Sequence, residues 1–232
     1  MAKKTGRQKS PKSAPPRKTP WLWGIVAVLA VVALYAGYRG VGHGPRNAAK
    51  APSLPPIVQN PSKTGFTWKY RAYAIKTKKP AYLVKGSKMT VVMLMASWCL
   101  YCAYDDKYVW PSLLHEKGLT LDIVDVSNHG GIGDPGPESP PFSGHDNYQS
   151  ATIGARGMIQ TMNQYVKQFS LNYPNVHVYV DPNGLSYWSV KNFPTILLIN
   201  GKGQLVDRVD GALTKSSAQK LVAQVMSGKS RG

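Results

Sequence analysis

Residues 89–102 read MTVVMLMASWCLYC and form the most informative segment of this 232-residue chain. Residues 89–96 are apolar except for one Thr, have no polar face and are too few for a stable helix, so they predict a buried strand. Helical spacing follows from Tyr101 to Glu116 and ends near Gly118, a residue suited to a left-handed stop. We therefore expect Cys99 and Cys102, the only two cysteines, to lie on a strand-to-helix turn.

This position predicts a reactive Cys99. Unpaired backbone N–H groups and the positive end of a helix dipole stabilise a thiolate, so the pKa of Cys99 should be lowered and the thiolate should attack disulfides. Cys102, one turn further along, would resolve the mixed disulfide. Three alternatives are a static disulfide, half of a zinc site and a pair of inert buried thiols. No second cysteine pair or paired-histidine spacing completes a zinc site, and a disulfide closing so short a loop would add little stability.

The order strand, Trp-Cys-x-x-Cys, helix resembles the thioredoxin superfamily. Residues 193–199, FPTILLI, resemble the strand of that family that begins after a cis-proline. The resemblance covers about residues 85–228 and implies a thioredoxin-like α/β fold, with a central mixed sheet flanked by helices. It also implies that Phe193 and Pro194 face the cysteine pair and bind the extended backbone of a substrate protein.

A helix and a strand predicted within residues 152–180 make the chain similar to one branch of this superfamily, the membrane-anchored extracytoplasmic reductases associated with cytochrome c maturation. Met93 stands where many thioredoxins have a buried Asp, so the usual aid to proton transfer from the resolving thiol is missing. Asp105 stands where the branch often has Glu, and it either tunes the thiols or lies exposed on the surface. Trp98 either shields the thiolate or serves only in packing.

The charge distribution separates the chain into two parts. The net charge is +18, yet residues 1–90 hold 18 Lys and Arg and no Asp or Glu, whereas residues 91–232 hold 11 basic and 11 acidic residues. A nucleic-acid-binding domain would carry basic side chains interleaved with aromatic ones on its folded surface. Because the basic excess lies at the N-terminal end, we expect no nucleic-acid partner.

The N-terminal region predicts three segments before a thioredoxin-like domain at 63–232. Residues 1–20 form a basic tail that is too polar to fold. Residues 21–38 are 18 uncharged residues flanked by Trp and Tyr, about 27 Å as a helix and just enough for a single transmembrane anchor; a cleaved signal peptide is the alternative. Residues 39–62 form a Gly/Pro-rich linker. The basic tail predicts a cytoplasmic N-terminus and an extracytoplasmic domain at the cell membrane.

Patterning predicts the remaining elements of the domain. A Gly/Pro-rich loop at 127–150 should lack regular structure, and it either borders the active site or is a variable insertion. The other elements are strands at 66–75, 81–84, 119–126 and 176–180, helices at 152–169, 185–190 and 214–226, and a hairpin of strands 195–199 and 204–209.

These observations predict a membrane-anchored thiol-disulfide oxidoreductase that reduces disulfides in exported proteins, without a cofactor or metal and as a monomer. A lone cysteine pair in an oxidising compartment is typical of a working redox centre. Sustained reduction outside the cell would require a membrane electron donor. The alternatives are a disulfide oxidase or isomerase, and a non-catalytic binding module or metallochaperone that uses the same fold.

Overall fold

The computed structural model describes residues 66–228. The predicted tail, anchor and linker at 1–62 lie outside the described residues. Between residues 66 and 228, no helix is both long enough and apolar enough to cross a membrane.

The described part of the chain alternates strands and helices. The strands are β1 (Arg71–Ala74), β2 (Lys79–Tyr82), β3 (Met89–Met95), β4 (Leu119–Asp125), β5 (His129–Gly130), β6 (Gln149–Thr152), β7 (Val176–Val180), β8 (Thr195–Asn200) and β9 (Leu205–Asp210). The helices are α1 (Leu100–Tyr104), α2 (Ala155–Gln168), α3 (Gly184–Trp188) and α4 (Lys215–Met226).

Seven of these strands form one mixed sheet in the order β2-β1-β7-β4-β3-β8-β9. Strands β3, β4 and β7 are parallel to one another, and β1, β2, β8 and β9 pair with their neighbours in antiparallel fashion. Buried residues of α1, α2 and α4 cover one face of the sheet, and α3 covers the other. The predicted α/β fold, with a central mixed sheet flanked by helices, is confirmed.

Strand β3 lies near the middle of the sheet, and all seven of its residues are buried. Val91, Met93 and Met95 point into the core on the side of α1, and Val92 and Leu94 point into the core on the opposite face. A strand covered on both faces needs apolar residues at consecutive positions rather than at alternate ones. The apolar segment is uninterrupted because β3 is covered on both faces.

The helix predicted from Tyr101 to Glu116 is shorter and less regular than its pattern indicates. The α-helical part ends at Tyr104, a π-helical turn follows at Asp105–Val109, and a 3₁₀ turn follows at Trp110–Ser112. Pro111 lacks the N–H that would continue an α-helical ladder, which accounts for the 3₁₀ turn at Trp110–Ser112.

The prediction of an irregular loop at 127–150 is wrong at both of its ends. Strands β5 and β6 pair there in antiparallel fashion and form a separate two-stranded ribbon. The Gly and Pro residues between the two strands indicate a chain that turns sharply, and such residues do not distinguish an ordered path from a mobile one.

Two carboxyl groups of β4 are buried inside the domain. The Asp122 carboxylate accepts a hydrogen bond from the Val84 N–H at 2.9 Å, and that of Asp125 accepts one from the Ser127 N–H at 3.1 Å. Burial disfavours the charged form and raises the pKa of each of these groups to about 8.

These raised pKa values predict that the fold is most stable in acid. The folded chain keeps two protons that the unfolded chain loses above about pH 4, so stability should fall from there to about pH 8, by up to about 1.4 kcal/mol per pH unit for each carboxyl. Urea unfolding at pH 5 and pH 8, followed by Trp fluorescence, measures the difference. Asp122→Asn keeps an acceptor for Val84 and should flatten the decline; a protein that becomes more stable between pH 5 and pH 8 would contradict this account.

Candidate active site

The two cysteines lie where β3 leads into α1. Cys99 is the N-cap residue of α1, with extended backbone angles, and its sulfur accepts a hydrogen bond from the Cys102 N–H at 3.4 Å. Cys102 lies inside the helix, and its side chain is completely buried. Both residues are free thiols in this structure.

The two thiols differ in acidity. A hydrogen bond from the Cys102 side chain lowers the pKa of Cys99, and the Cys102 N–H acts in the same direction. Burial raises the pKa of Cys102 well above its ordinary value, and the neighbouring Cys99 adds to the rise. The geometry therefore favours a thiolate at Cys99 and a protonated thiol at Cys102.

Phe193, one of the two predicted substrate-binding residues, lies directly against Cys99. The Cys99 sulfur is 3.8 Å from the Phe193 carbonyl oxygen and is oriented to donate to it. The peptide bond between Phe193 and Pro194 is cis. Strand β8 begins at the next residue and pairs with β3, with Thr195 opposite Leu94, so the segments that carry Cys99 and Pro194 leave the same end of the sheet.

Trp98 is half-buried beside this junction. Its indole N–H donates to the Ser127 hydroxyl at 2.9 Å. Its ring meets the Phe193 ring edge-on at 5.7 Å on one side and the Tyr148 ring edge-on at 5.1 Å on the other. Trp98 thus joins the cysteine turn to the proline segment and to the loop after β5.

Asp105 is not exposed; the alternative of a surface carboxylate is wrong. Its side chain is completely buried, and its two oxygens lie 3.2 and 3.3 Å from the Leu213 nitrogen, whose N–H they accept. Burial raises the pKa of Asp105 well above its usual range. The hydrogen-bonding role of Asp105 is to hold the segment that leads into α4.

Asp106 is a residue of this site that the motif comparison missed. Its carboxyl group is fully buried and accepts a hydrogen bond from the Tyr165 hydroxyl at 2.7 Å, and its Oδ1 has no partner among the described residues. Burial raises the pKa of Asp106 to about 7. Its charge is one of the causes that raise the pKa of Cys102. The available signal was an Asp four residues after the second cysteine, about one helical turn away.

The position of Met93 is filled by packing. The Trp110 indole N–H points at the Met93 sulfur at 3.2 Å, and both side chains are buried. The Met93 position therefore holds a buried thioether and no carboxyl group.

Residues 131–148, called the active-site loop below, lie against the cysteine turn. The Gly133 N–H donates to the Ser97 carbonyl at 2.9 Å, and the Asn147 N–H donates to the Trp98 carbonyl at 3.0 Å. A side chain at Gly133 would overlap the Cys99 carbonyl group. Of the two interpretations of this segment, the structure supports the one in which it borders the site.

We expect Gly133→Ala to push the active-site loop away from the cysteine turn. The added methyl group has only rigid backbone to displace, so the free energy of unfolding should fall by about 1–3 kcal/mol. Urea unfolding of the reduced protein measures this change. Gly154→Ala is the matched control, because a Cβ there meets nothing within 4 Å, and its loss should stay below about 1 kcal/mol; equal losses in the two variants would contradict the close contact.

Metal ligands do not cluster at the site. Among residues 66–228, no group of three or more His, Cys, Asp or Glu side chains is arranged to hold a metal ion.

The chain resembles thioredoxin-like proteins of known structure. A secreted Mycobacterium tuberculosis disulfide oxidoreductase homologous to Escherichia coli DsbE is 13% identical, with a TM-score of 0.45, over 69% of this chain and 96% of that one. A Chlorobium tepidum protein described as a thiol:disulfide interchange protein DsbE is 16% identical, with a TM-score of 0.46, over 68% and 92%. The exposed lipoprotein thioredoxin Etrx1 of Streptococcus pneumoniae is 18% identical, with a TM-score of 0.41, over 67% and 98%.

These likenesses concern the fold. A comparison with protein-family models finds no match, and neither does a comparison with curated proteins.

Proposed function

We propose that this protein is a thiol-disulfide oxidoreductase that reduces disulfides in exported proteins. The observation that carries the proposal is the unequal pair at the end of β3: Cys99 has a lowered pKa, whereas Cys102 is buried with a raised pKa. A two-step exchange requires one thiolate that attacks the partner disulfide and a second thiol that stays protonated until the mixed disulfide has formed. Phe193 and Pro194, beside Cys99, would position the backbone of the partner protein.

The reaction transfers two electrons from the protein dithiol to a partner disulfide. The Cys99 thiolate attacks one sulfur of the partner; a mixed disulfide forms, the partner disulfide breaks, and the released sulfur takes a proton. Cys102 then loses its proton and attacks the Cys99 sulfur. The Cys99–Cys102 disulfide forms, and the second partner sulfur leaves as a thiol.

The second step needs a group that accepts the Cys102 proton. Asp106 fits this role because it is buried, one of its oxygens has no partner among the described residues, and its charge acts on Cys102. With a pKa of about 7, it is half ionised near neutral pH. Asp105 is less suitable because both of its oxygens already accept from Leu213.

Two features of the sequence favour reduction outside the cytoplasm. Residues 21–38 would anchor the chain in the cell membrane and place the domain on the far side. Leu100 and Tyr101 separate the cysteines, so the active-site motif contains no histidine of the kind that stabilises a reduced thiolate in strongly oxidising relatives. A membrane electron donor would then return the protein to its dithiol form.

Equilibration of the full-length protein with glutathione or dithiothreitol buffers tests the direction of the reaction. We expect a potential near that of thioredoxin, about −270 mV, or lower. In a Cys102→Ser variant the mixed disulfide with a model peptide disulfide should persist, because the resolving thiol is gone; Cys99→Ser, the matched control, should form none. A value near about −120 mV would indicate disulfide donation instead, and the lack of a reversible couple would favour a binding module.

We also expect Asp106→Asn to slow the second step by about tenfold or more, the usual scale for loss of a proton-transfer group. Asn keeps an acceptor for Tyr165, so the packing should survive. The measurement is the lifetime of the mixed disulfide after rapid mixing with a peptide disulfide, from pH 5 to pH 9. The wild-type rate should rise through about pH 7, and this rise should vanish in the variant.

Asp105→Asn is the matched control for this test. It removes a carboxylate from the adjacent residue and keeps an acceptor for Leu213, so the mixed-disulfide lifetime should change little. A larger effect of Asp105→Asn than of Asp106→Asn would show that Asp105, and not Asp106, accepts the proton of Cys102.

A further inference from the structure

The active-site loop places a carboxylate against the residue that follows Cys99. Asp146 Oδ1 accepts a hydrogen bond from the Leu100 N–H at 2.8 Å, and Leu100 directly follows Cys99. The next residue of the loop, Asn147, donates its N–H to the Trp98 carbonyl at 3.0 Å, and its side-chain amide donates to Ile132 within the loop at 2.7 Å. Residues 146 and 147 of the loop are therefore bonded to the residues on either side of Cys99, which fixes the position of Asp146.

The hydrogen bond occupies a backbone donor next to a sulfur that depends on such donors. Cys99 accepts from the Cys102 N–H at 3.4 Å, and the Tyr101 N–H also favours its thiolate. The Leu100 N–H, from the same turn, is satisfied by a negative group instead. That negative charge acts against the thiolate and raises the pKa of Cys99, opposing the larger effect of Cys102.

Little positive charge from this part of the chain offsets Asp146. No Lys or Arg occurs between Lys117 and Arg156, a segment that contains five acidic residues. Within residues 66–228, the ion pairs of the active-site loop join Asp134 to His145 and Glu138 to Lys215, and none includes Asp146. Among the described residues, other ionisable groups that interact with Cys99 include Cys102, Asp105 from the π-helical turn and Tyr165 from α2.

We propose, on the basis of the thiol-disulfide exchange proposed above, that Asp146 is a positioning residue that keeps the Cys99–Cys102 couple more reducing than the cysteine turn alone would make it. The dithiol form of such a couple is stabilised by whatever stabilises its thiolate. A carboxylate beside that thiolate withdraws part of this stabilisation. The active-site loop thus sets the redox property of a motif to which it contributes no sulfur.

The test compares Asp146→Asn with the wild type in the full-length, reduced protein. Asn keeps an acceptor for the Leu100 N–H and removes the charge. The rate of Cys99 alkylation by iodoacetamide is measured from pH 4 to pH 10, with mass spectrometry to separate Cys99 from Cys102. We expect the midpoint of the profile to move to lower pH, with alkylation about threefold faster below the wild-type midpoint. In glutathione buffers the couple should shift toward the dithiol by a similar factor.

Glu138→Gln is the matched control, because it removes one negative charge from the same loop at a side chain that pairs with Lys215. It should leave the Cys99 midpoint in place. Asp146→Ser, a second neutral acceptor, should reproduce the shift and serves if the Asn variant does not fold. An unmoved midpoint in both neutral variants, or an equal shift in Glu138→Gln, would overturn the proposal.

The alkylation profile also separates this proposal from the proposed function. It needs no partner protein and no reversible couple. A reversible wild-type couple with an unmoved midpoint in the Asp146 variants removes only the role of Asp146. If the midpoint of the alkylation profile moves but the Cys99–Cys102 pair forms no reversible couple, the proposed oxidoreductase function is rejected. The electrostatic effect of Asp146 on Cys99 is then still established.

Discussion

The antiparallel pairing of β3 with β8 is the constraint on which the site depends. Because Leu94 lies opposite Thr195, the turn after β3 and the segment before β8 emerge side by side, and the Cys99 sulfur comes to lie against the Phe193 carbonyl. A slip of one residue in this register would turn every β3 side chain to the other face of the sheet. Both cores depend on that alternation, so the packing that stabilises the sheet also fixes the distance between the nucleophile and the proline segment.

The fold and the centre of the site could be predicted because their signals are local. Each of these patterns can be recognised within a few residues: an apolar segment, a Trp-Cys-x-x-Cys motif, and a Phe-Pro step before a second apolar segment. The position of the active-site loop could not be predicted this way. Gly133 packs against the carbonyl of Cys99, and the backbone hydrogen bonds that join the loop to Ser97 and Trp98 connect groups more than 30 residues apart. A glycine selected for close approach looks the same in sequence as one in a mobile turn.

The two acidic residues after the motif show a second limit of local reasoning. Asp105 and Asp106 are adjacent and chemically identical, yet one accepts from a backbone N–H before α4 and the other accepts from a phenol of α2. Their separation depends on which helix packs on which side of a short α-helix that changes into a π-helical turn. Spacing from the second cysteine pointed to Asp105, whereas it is the buried carboxyl group of Asp106 whose charge raises the pKa of Cys102.

The buried carboxyl groups of β4 have a consequence for the pH at which such a protein works. Asp122 and Asp125 favour an acidic medium, since folding takes up the protons that they hold. The proposed thiol exchange requires the reverse, because the form of Cys99 that would attack a disulfide is the deprotonated one. Stability and reactivity thus change in opposite directions with pH. Acidification would leave a more stable protein in which Cys99 is protonated and unreactive.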